Sequence, residues 1–213
     1  MGVVVKPYLI ILLVLVALRR RWSQLVACVG ATAGIYVAGI LAFGWRRTLE
    51  FFLENPNSRM PEWIYTEQVN RSLSAFVLRA THVFGGPMNS GLFMALSTGI
   101  GCITAYLVWS VREKSTEIAI SLLLSFALVV YPFTLSHYGV MLLGPLFMIW
   151  VRREEVPAGR WTAAMFIALE TVLFAVGRDF WAFALAWGAS AYLAVLSGRA
   201  LSNFSKNFEE MRC

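Results

Sequence analysis

Ser121 to Trp150, SLLLSFALVVYPFTLSHYGVMLLGPLFMIW, is a stretch of thirty residues that carries no formal charge and is interrupted near its middle by Tyr131-Pro132 and by Ser136-His137-Tyr138. As one helix rising about 1.5 Å per residue it would be roughly 45 Å long, well beyond the roughly 30 Å of a hydrocarbon core. We therefore predict that the stretch enters the membrane and returns, with PFTLSHY as the turn.

Basic residues on both sides of the stretch support this return. They are Arg112 and Lys114 before it, and Arg152, Arg153 and Arg160 after it. Short loops rich in lysine and arginine tend to stay in the cytoplasm, so both ends are predicted to lie on the same side. Each arm, 118–130 and 139–151, is only about 20 Å long and too short to cross fully. The turn is therefore predicted to lie below the membrane surface, where it lines a protein cavity or water.

The composition indicates an integral membrane protein. Hydrophobic residues make up 59% of the 213 residues and charged residues 14%, and the mean hydropathy is +0.67. The apolar runs are continuous, which favours helices over the alternating segments of a barrel. The net charge of +6 is explained by basic residues at the ends of the spans, so no nucleic-acid partner is expected. We predict one all-α membrane domain, a polytopic helix bundle over residues 1–213.

Seven membrane spans are predicted, near residues 3–18, 22–43, 90–111, 118–130, 139–151, 161–177 and 180–196. Arg19 to Arg21 are the strongest cytoplasmic marker and place the N-terminus outside and the C-terminus in the cytoplasm. Residues 44–89 form an outer loop with two amphipathic interfacial helices, the second capped by Asn70. Residues 197–213 form a polar cytoplasmic tail. An outside N-terminus without a signal peptide suggests that Met1 is a fragment boundary or an internal start.

Two ionisable side chains are predicted to lie at membrane depth. His137 in the turn is costly there unless it pairs or faces a cavity, and imidazole binds phosphate or carries protons near neutral pH. The alternative is a histidine at a loop end that is bonded to backbone. Glu170 interrupts the apolar run WTAAMFIALETVLFAVG and is a functional candidate. It is alternatively a neutral acid or the partner of an arginine on a neighbouring helix.

Arginines of the outer loop are the other candidates. The planar guanidinium groups of Arg71 and Arg79 suit phosphate, and contact with lipid headgroups is the alternative for Arg79. Arg46 and Arg47 are better explained by contact with lipid headgroups. Lys6, beside Pro7, meets an anionic ligand or anchors the first span. The sequence has no metal-ligand spacing, phosphate loop, nucleophile elbow or dinucleotide motif, so neither a metal nor a cofactor is expected.

Three stretches, in this order, resemble glycosyltransferase family 87, membrane enzymes of the GT-C type that include polyprenyl-phosphate-mannose-dependent mannosyltransferases. They are Lys6-Pro7 with an apolar run ending in Arg19-Arg20-Arg21-Trp22, then Asn70-Arg71-Ser72-Leu73 with Arg79 downstream, then Tyr131 to Tyr138. The resemblance covers about the first 150 residues. In two places the chain departs from the family pattern: Tyr138 replaces the second histidine of a pair, and Arg71 replaces a glutamine.

The resemblance implies the C-terminal part of a membrane glycosyltransferase that transfers a hexose, expected to be mannose, from a polyprenyl-phosphate donor to a lipid or glycan acceptor. The bacterial inner membrane is the expected location. The resemblance assigns donor-phosphate binding to Lys6, Asn70, Arg71, Arg79, His137 and Tyr138, with His137 also the candidate catalytic residue. The acid that serves the family as general base has no counterpart here, so a separate chain carrying the missing N-terminal half is a candidate partner. The alternatives are a transporter or flippase, and a non-catalytic membrane subunit.

Overall fold

The computed structural model describes residues 11–48, 70–83, 90–131, 134, 136–155 and 159–210, with the side chains of 136, 137, 179 and 198–210 outside the description. This part of the chain is helical and contains no strand. Its α-helices are α1 Ile11–Leu18, α2 Trp22–Phe43, α3 Leu73–Val83, α4 Ser90–Val111, α5 Thr116–Val130, α6 Leu143–Val151, α7 Gly159–Ala175 and α8 Asp179–Glu210. A 3-10 helix, Ser136–Leu142, leads into α6, and another, Arg153–Glu155, follows it. The predicted all-α bundle is confirmed.

Three helical segments are long and apolar enough to cross a membrane, namely Trp22–Phe43, Ser90–Val111 and Phe180–Ser197. The protein is therefore a membrane protein. The returning arms of the sequence prediction correspond to shorter apolar helices, Thr116–Val130 and Tyr138–Val151. The count of seven spans and the orientation stay predictions, and residues 3–10 of the first span lie outside the described residues.

Helix α5 is the centre of the bundle, and two apolar clusters lie along it. Around its N-terminal half, Ile118 and Leu122 pack with Leu193 of α8. Around its C-terminal end, Leu128 and Val129 pack with Phe183 of the same helix. Because later residues of α8 meet earlier residues of α5, the two helices are antiparallel. The N-terminus of α8 therefore lies beside the C-terminal end of α5.

A polar network closes the other end of the bundle. Ser115 caps α5 by accepting a hydrogen bond from the Ile118 N–H, 3.4 Å away, and its hydroxyl lies 3.2 Å from Arg152 Nη2. The same guanidinium is 3.6 Å from Glu117, and Arg19 donates a hydrogen bond to Thr116. The network joins three segments that the charge pattern predicts to be cytoplasmic. Its exposed ion pairs each contribute about 1 kcal/mol or less, so packing holds this end together.

Helix α3 buries most of one side in the bundle, while its location at the membrane interface stays a prediction. Leu73, Ala75 and Val77 are buried, and the first and last of these belong to the apolar cluster at the C-terminal end of α5. An apolar stripe can bury itself against lipid or against other helices, and the sequence pattern alone does not distinguish the two. The N-cap differs from the prediction: Ser72, not Asn70, accepts the hydrogen bond from the Ala75 N–H at 3.3 Å.

Helix α8 continues beyond the predicted last span. It runs from Asp179 to Glu210 without a break, and its apolar part, Phe180–Ser197, corresponds to the predicted span 180–196. No proline follows Asp179 in the sequence, and a single glycine such as Gly198 costs a helix only about 1 kcal/mol. The change from apolar to polar composition therefore does not end the helix.

Candidate functional site

The corner between α7 and α8 is a tight turn that the local sequence dictates. Gly177 has φ +69°, in the left-handed region that glycine adopts without strain. The Arg178 N–H donates to the Leu173 carbonyl at 2.7 Å, and the Gly177 N–H donates to Phe174 at 3.1 Å. This pair of bonds is a Schellman motif. The carbonyl of Arg178 then accepts from the Trp181 N–H at 2.9 Å, so Arg178 is fixed between the two helices.

A second turn, at residues 70–72, is tied to the interruption after α5. The Asn70 side-chain oxygen accepts hydrogen bonds from the Ser72 N–H at 3.1 Å and from the Ser72 hydroxyl at 2.7 Å. The Arg71 N–H donates to the Thr134 carbonyl at 2.7 Å. Asn70, Ser72 and Thr134 are all fully buried. The motif Asn-Arg-Ser-Leu and the YPFTLSHY turn, predicted separately, therefore meet in the fold.

These two turns and α3 enclose a pocket of about 380 Å³. It is lined by Arg71, Phe76, Arg79, Ala80, Val83, Val176, Gly177, Arg178, Phe180 and Trp181. Of these lining residues, three are arginines and none is acidic. We call this cavity the arginine pocket. It lies beyond the apolar cluster at the C-terminal end of α5, at the opposite end of the bundle from the Arg152 network.

A backbone carbonyl orients one of the arginines. Arg79 Nη1 donates to the Asn70 carbonyl at 3.0 Å, and burial together with the nearby Arg71 lowers the pKa of Arg79. Arg71 Nη2 lies 3.3 Å from the position that a Cβ on Gly177 would occupy. A larger residue at 177 would therefore meet both an unfavourable backbone angle and this guanidinium. Cations gathered against one another in this way favour an anion between them.

The rest of the pocket wall is aromatic. Phe76 stacks on Phe180 with ring centroids 4.4 Å apart. Trp181 meets both rings edge to face, at 5.3 Å from Phe76 and 5.4 Å from Phe180. Such pairs add about 0.5–1.5 kcal/mol each beyond the area they bury. The arrangement combines a rigid apolar wall with a few convergent charged groups, which is typical of ligand sites.

The structure brings together only some of the predicted site residues. Arg71 and Arg79 line the pocket, and Asn70 holds the second of them. Tyr138 instead packs against the apolar cluster at the C-terminal end of α5. The backbone of His137 belongs to the 3-10 helix, but its side chain lies outside the described residues, as does all of Lys6. Arg46 and Arg47 are exposed, away from the pocket lining.

Glu170 is an unusual group in the interior. It is 2% exposed within α7, and neither carboxyl oxygen has a hydrogen-bond partner among the described residues. It does not line the arginine pocket. The predicted alternative of an ion pair with a neighbouring arginine is therefore not seen in the described part of the chain. A buried carboxyl without a partner is costly when ionised.

Arg178, Phe180 and Trp181 are pocket residues that the sequence did not single out as a site. The available signal was topological, because the predicted orientation places the Arg178-Asp179 turn on the same side of the membrane as Arg71 and Arg79. The sequence does not show which of the predicted outer turns are neighbours in the fold. The packing of α8 against α5 decides this.

The 3-10 helix that carries His137 contacts α7 closely. A Cβ on Gly139 would overlap the ring of Phe174, one turn before Arg178. We predict that Gly139→Ala lowers the free energy of unfolding by about 1 kcal/mol, because the ring is 38% exposed and can turn partly away from the overpacked position. A double-mutant cycle by thermal unfolding in detergent checks this. With Phe174→Ala as the background, Gly139→Ala should have little effect, and additive losses would show that the two residues do not interact.

The fold and the pocket together define a membrane protein with a cavity lined by cationic and aromatic side chains. The sequence profile of glycosyltransferase family 87 matches residues 1–136. This match covers more than half of the chain, which therefore belongs to glycosyltransferase family 87, and family membership indicates a membrane-bound glycosyltransferase. No curated protein and no solved structure matches the chain.

The family match and the pocket overlap only in part. Arg71, Phe76 and Arg79 lie within residues 1–136, whereas Arg178, Phe180 and Trp181 lie beyond them. The site is thus assembled from both the matched segment and the last two helices. Residues outside the match contribute one of its three cations.

Proposed function

We propose that the protein transfers a hexose, mannose by the family resemblance, from a polyprenyl-phosphate donor to a lipid or glycan acceptor at the outer face of a bacterial inner membrane. The observation that carries this proposal is the arginine pocket. A glycosyltransferase with a lipid phosphate donor needs cationic groups for the phosphate, and Arg71, Arg79 and Arg178 supply them.

The proposed chemistry is displacement at the anomeric carbon. The bond from that carbon to the phosphate oxygen breaks while the acceptor hydroxyl oxygen bonds to the carbon, and the electron pair leaves on the phosphate. Guanidinium groups stabilise the charge that develops there, since planar donors fit phosphate oxygens two at a time. Helix α8 begins at the pocket and adds the partial positive charge of its N-terminus. A monophosphate leaving group stabilised in this way needs no metal to bridge a diphosphate.

The acceptor hydroxyl must also lose its proton to a base. No carboxylate lines the arginine pocket among the described residues, and the family resemblance places the general base in an N-terminal half. We therefore propose that a partner chain carrying that half completes the enzyme. Copurification from the source membrane with a chain that bears an outward-facing aspartate would support this. A single purified chain that transfers sugar alone would contradict it.

The direct experiment is reconstitution of the full chain, with its copurifying partner, in lipid nanodiscs with polyprenyl-phosphate mannose. Transfer of the sugar to an extracted lipid or glycan fraction, dependent on Arg178, supports the proposal. Arg178 is the informative choice because it is exposed and its replacement by glutamine leaves the core intact. Unchanged sugar transfer in the Arg178→Gln variant would show that the arginine pocket is not part of the donor site.

His137 carries a separate prediction. In the complete enzyme we expect His137→Ala to lower sugar transfer by about tenfold or more, the scale of a lost proton carrier or phosphate contact. His82 is the matched control, because it is exposed in the last turn of α3 and has no proposed role. His82→Ala should keep normal turnover. Normal turnover in His137→Ala would make that histidine structural.

Glu170 favours one alternative function, a transporter or flippase for a lipid-linked or small solute. Ionisable side chains inside membrane bundles often belong to substrate or proton paths, and Glu170 is buried without a hydrogen-bond partner among the described residues. Uptake into proteoliposomes that is abolished by Glu170→Gln, without any sugar transfer, would favour this function. Sugar transfer that survives Glu170→Gln would make Glu170 a neutral interior acid.

A further inference from the structure

A second cavity, of about 320 Å³, lies among α6, α7 and α8. Its lining is almost entirely apolar or small: Ile149, Thr162, Ala163, Phe166, Ala184, Leu185, Gly188, Ala189, Tyr192 and Leu193. We call this cavity the apolar groove. All of these residues lie beyond the part of the chain that the family profile matches.

Small residues keep the groove open. No heavy atom lies within 4 Å of the position that a Cβ on Gly188 would occupy. Ala184 and Ala189 flank this glycine in the lining, and Ala163 faces them from α7. Small side chains at a helix seam usually let two helices approach closely, yet here the space beside Gly188 is unfilled.

The apolar groove lies next to the arginine pocket along α8. On α8, Trp181 lines the pocket, while Leu185, Gly188 and Tyr192 line the groove. These positions are three or four residues apart and therefore lie on one side of the helix. Both cavities thus open on the same side of α8.

The dimensions suit a lipid chain. From Trp181 to Tyr192 the helix rises about 16 Å, roughly half of a hydrocarbon core. One end of this path carries three arginines, and the other is apolar. Its polarity therefore matches an amphiphile with an anionic head followed by a hydrocarbon tail.

We propose that the apolar groove binds the first part of the donor's isoprenoid chain while the arginine pocket binds its phosphate. This inference rests on the proposed function and adds to it the path of the chain along α7 and α8. The groove then selects donors by the lipid chain that they carry. An ordinary phospholipid acyl chain in the groove, unconnected with the pocket, is the competing outcome.

The test compares two helical glycines in the full chain in nanodiscs. Gly188→Leu fills the groove, and Gly99→Leu is the matched control, because Gly99 is exposed on α4 with no atom within 4 Å of its Cβ position. The probes are undecaprenyl phosphate and dimethylallyl phosphate, which share the phosphate and differ in chain length. We expect Gly188→Leu to weaken binding of the long probe by about tenfold, the loss when a few methylene groups leave an apolar site. Binding of the short probe should not change, and Gly99→Leu should bind both normally.

Equal affinities of Gly188→Leu and Gly99→Leu for the long probe would overturn the proposal. The groove would then be a site for a phospholipid acyl chain. Should Gly188→Leu fail to fold in a thermal unfolding assay, an undecaprenyl phosphate with a photoreactive group on its first isoprene units tests the unmodified chain. Crosslinks within 162–166 or 184–193 support the groove, and crosslinks confined to other segments overturn it. If the chain-length effect is present but no sugar is transferred, the groove stands and the proposed function fails.

Discussion

Arg79→Gln is expected to reduce sugar transfer by roughly tenfold to a hundredfold, since hydrogen bonds to charged groups contribute about 1.5–3 kcal/mol each. Arg79 is part of the arginine pocket and is oriented by its bond to the Asn70 carbonyl. Glutamine keeps one donor for that carbonyl but loses the positive charge. The loss should appear mainly in the Michaelis constant for the donor if the arginine contributes equally to binding and to the transition state, and in turnover if it acts on the departing phosphate.

Two further variants make the result specific. Arg79→Lys keeps the charge and loses the planar fork, so intermediate transfer is expected. Arg47→Gln removes an exposed arginine of the same predicted outer loop that does not line the pocket, and it should transfer normally. Equal losses in Arg47→Gln and Arg79→Gln would mean that net charge, not the pocket, matters. Normal transfer in Arg79→Gln would exclude this arginine from donor binding.

Asn70→Ala is expected to lower the free energy of unfolding by about 2–4 kcal/mol and to reduce sugar transfer as well. The side-chain oxygen of Asn70 accepts two hydrogen bonds from Ser72 in a fully buried site. Each buried donor left without an acceptor costs about 1–3 kcal/mol. The variant keeps the backbone carbonyl of residue 70 that accepts from Arg79. It loosens the turn that positions this carbonyl, so the guanidinium is held less firmly in the pocket. Thermal unfolding in detergent and transfer in nanodiscs measure the two effects separately.

The control for this variant is Thr32→Ala, which removes a hydroxyl bonded to the Cys28 carbonyl on an exposed face of α2. Its effect on unfolding should stay below about 0.5 kcal/mol. Asn70→Asp keeps the acceptor oxygen that both Ser72 donors use and should retain most of the stability. An Asn70→Ala protein as stable as the unmodified one would show that the turn at 70–72 is held by other contacts.

The helices were predictable because apolar runs of membrane length determine them directly. The interruption near Tyr131-Pro132 was predictable too, since α5 ends at Val130, before a proline. The burial of α3 was not, because an apolar stripe on a short helix serves a lipid surface and a protein core equally well. The apolar part of α8, Phe180–Ser197, was predictable, but the continuation of the helix to Glu210 was not, because polarity changes where a helix meets water, whether or not the helix stops.

Only part of the lining of the arginine pocket could be predicted from the sequence. Arg71 and Arg79 were identified because guanidinium groups on an outer segment suit phosphate. Arg178 lies between the predicted spans 161–177 and 180–196, but its place in the pocket lining depends on the long-range packing of α8 against α5. Glu170 was correctly placed as an acid within an apolar helix, but whether it had a partner depended on the same packing.

The division of the arginine pocket between two distant segments has a consequence for biogenesis. One side comes from residues 71–83 and the other from residues 176–181, so roughly a hundred residues are synthesised between them. At the usual 5–20 residues per second, the ribosome adds those residues in about 5–20 s. During that interval α3 is already made, but its arginines have no partner wall from the α7–α8 corner. The pocket is therefore completed late in synthesis, and a nascent chain halted before Val176 holds two of its three arginines and lacks the wall that the α7–α8 corner supplies.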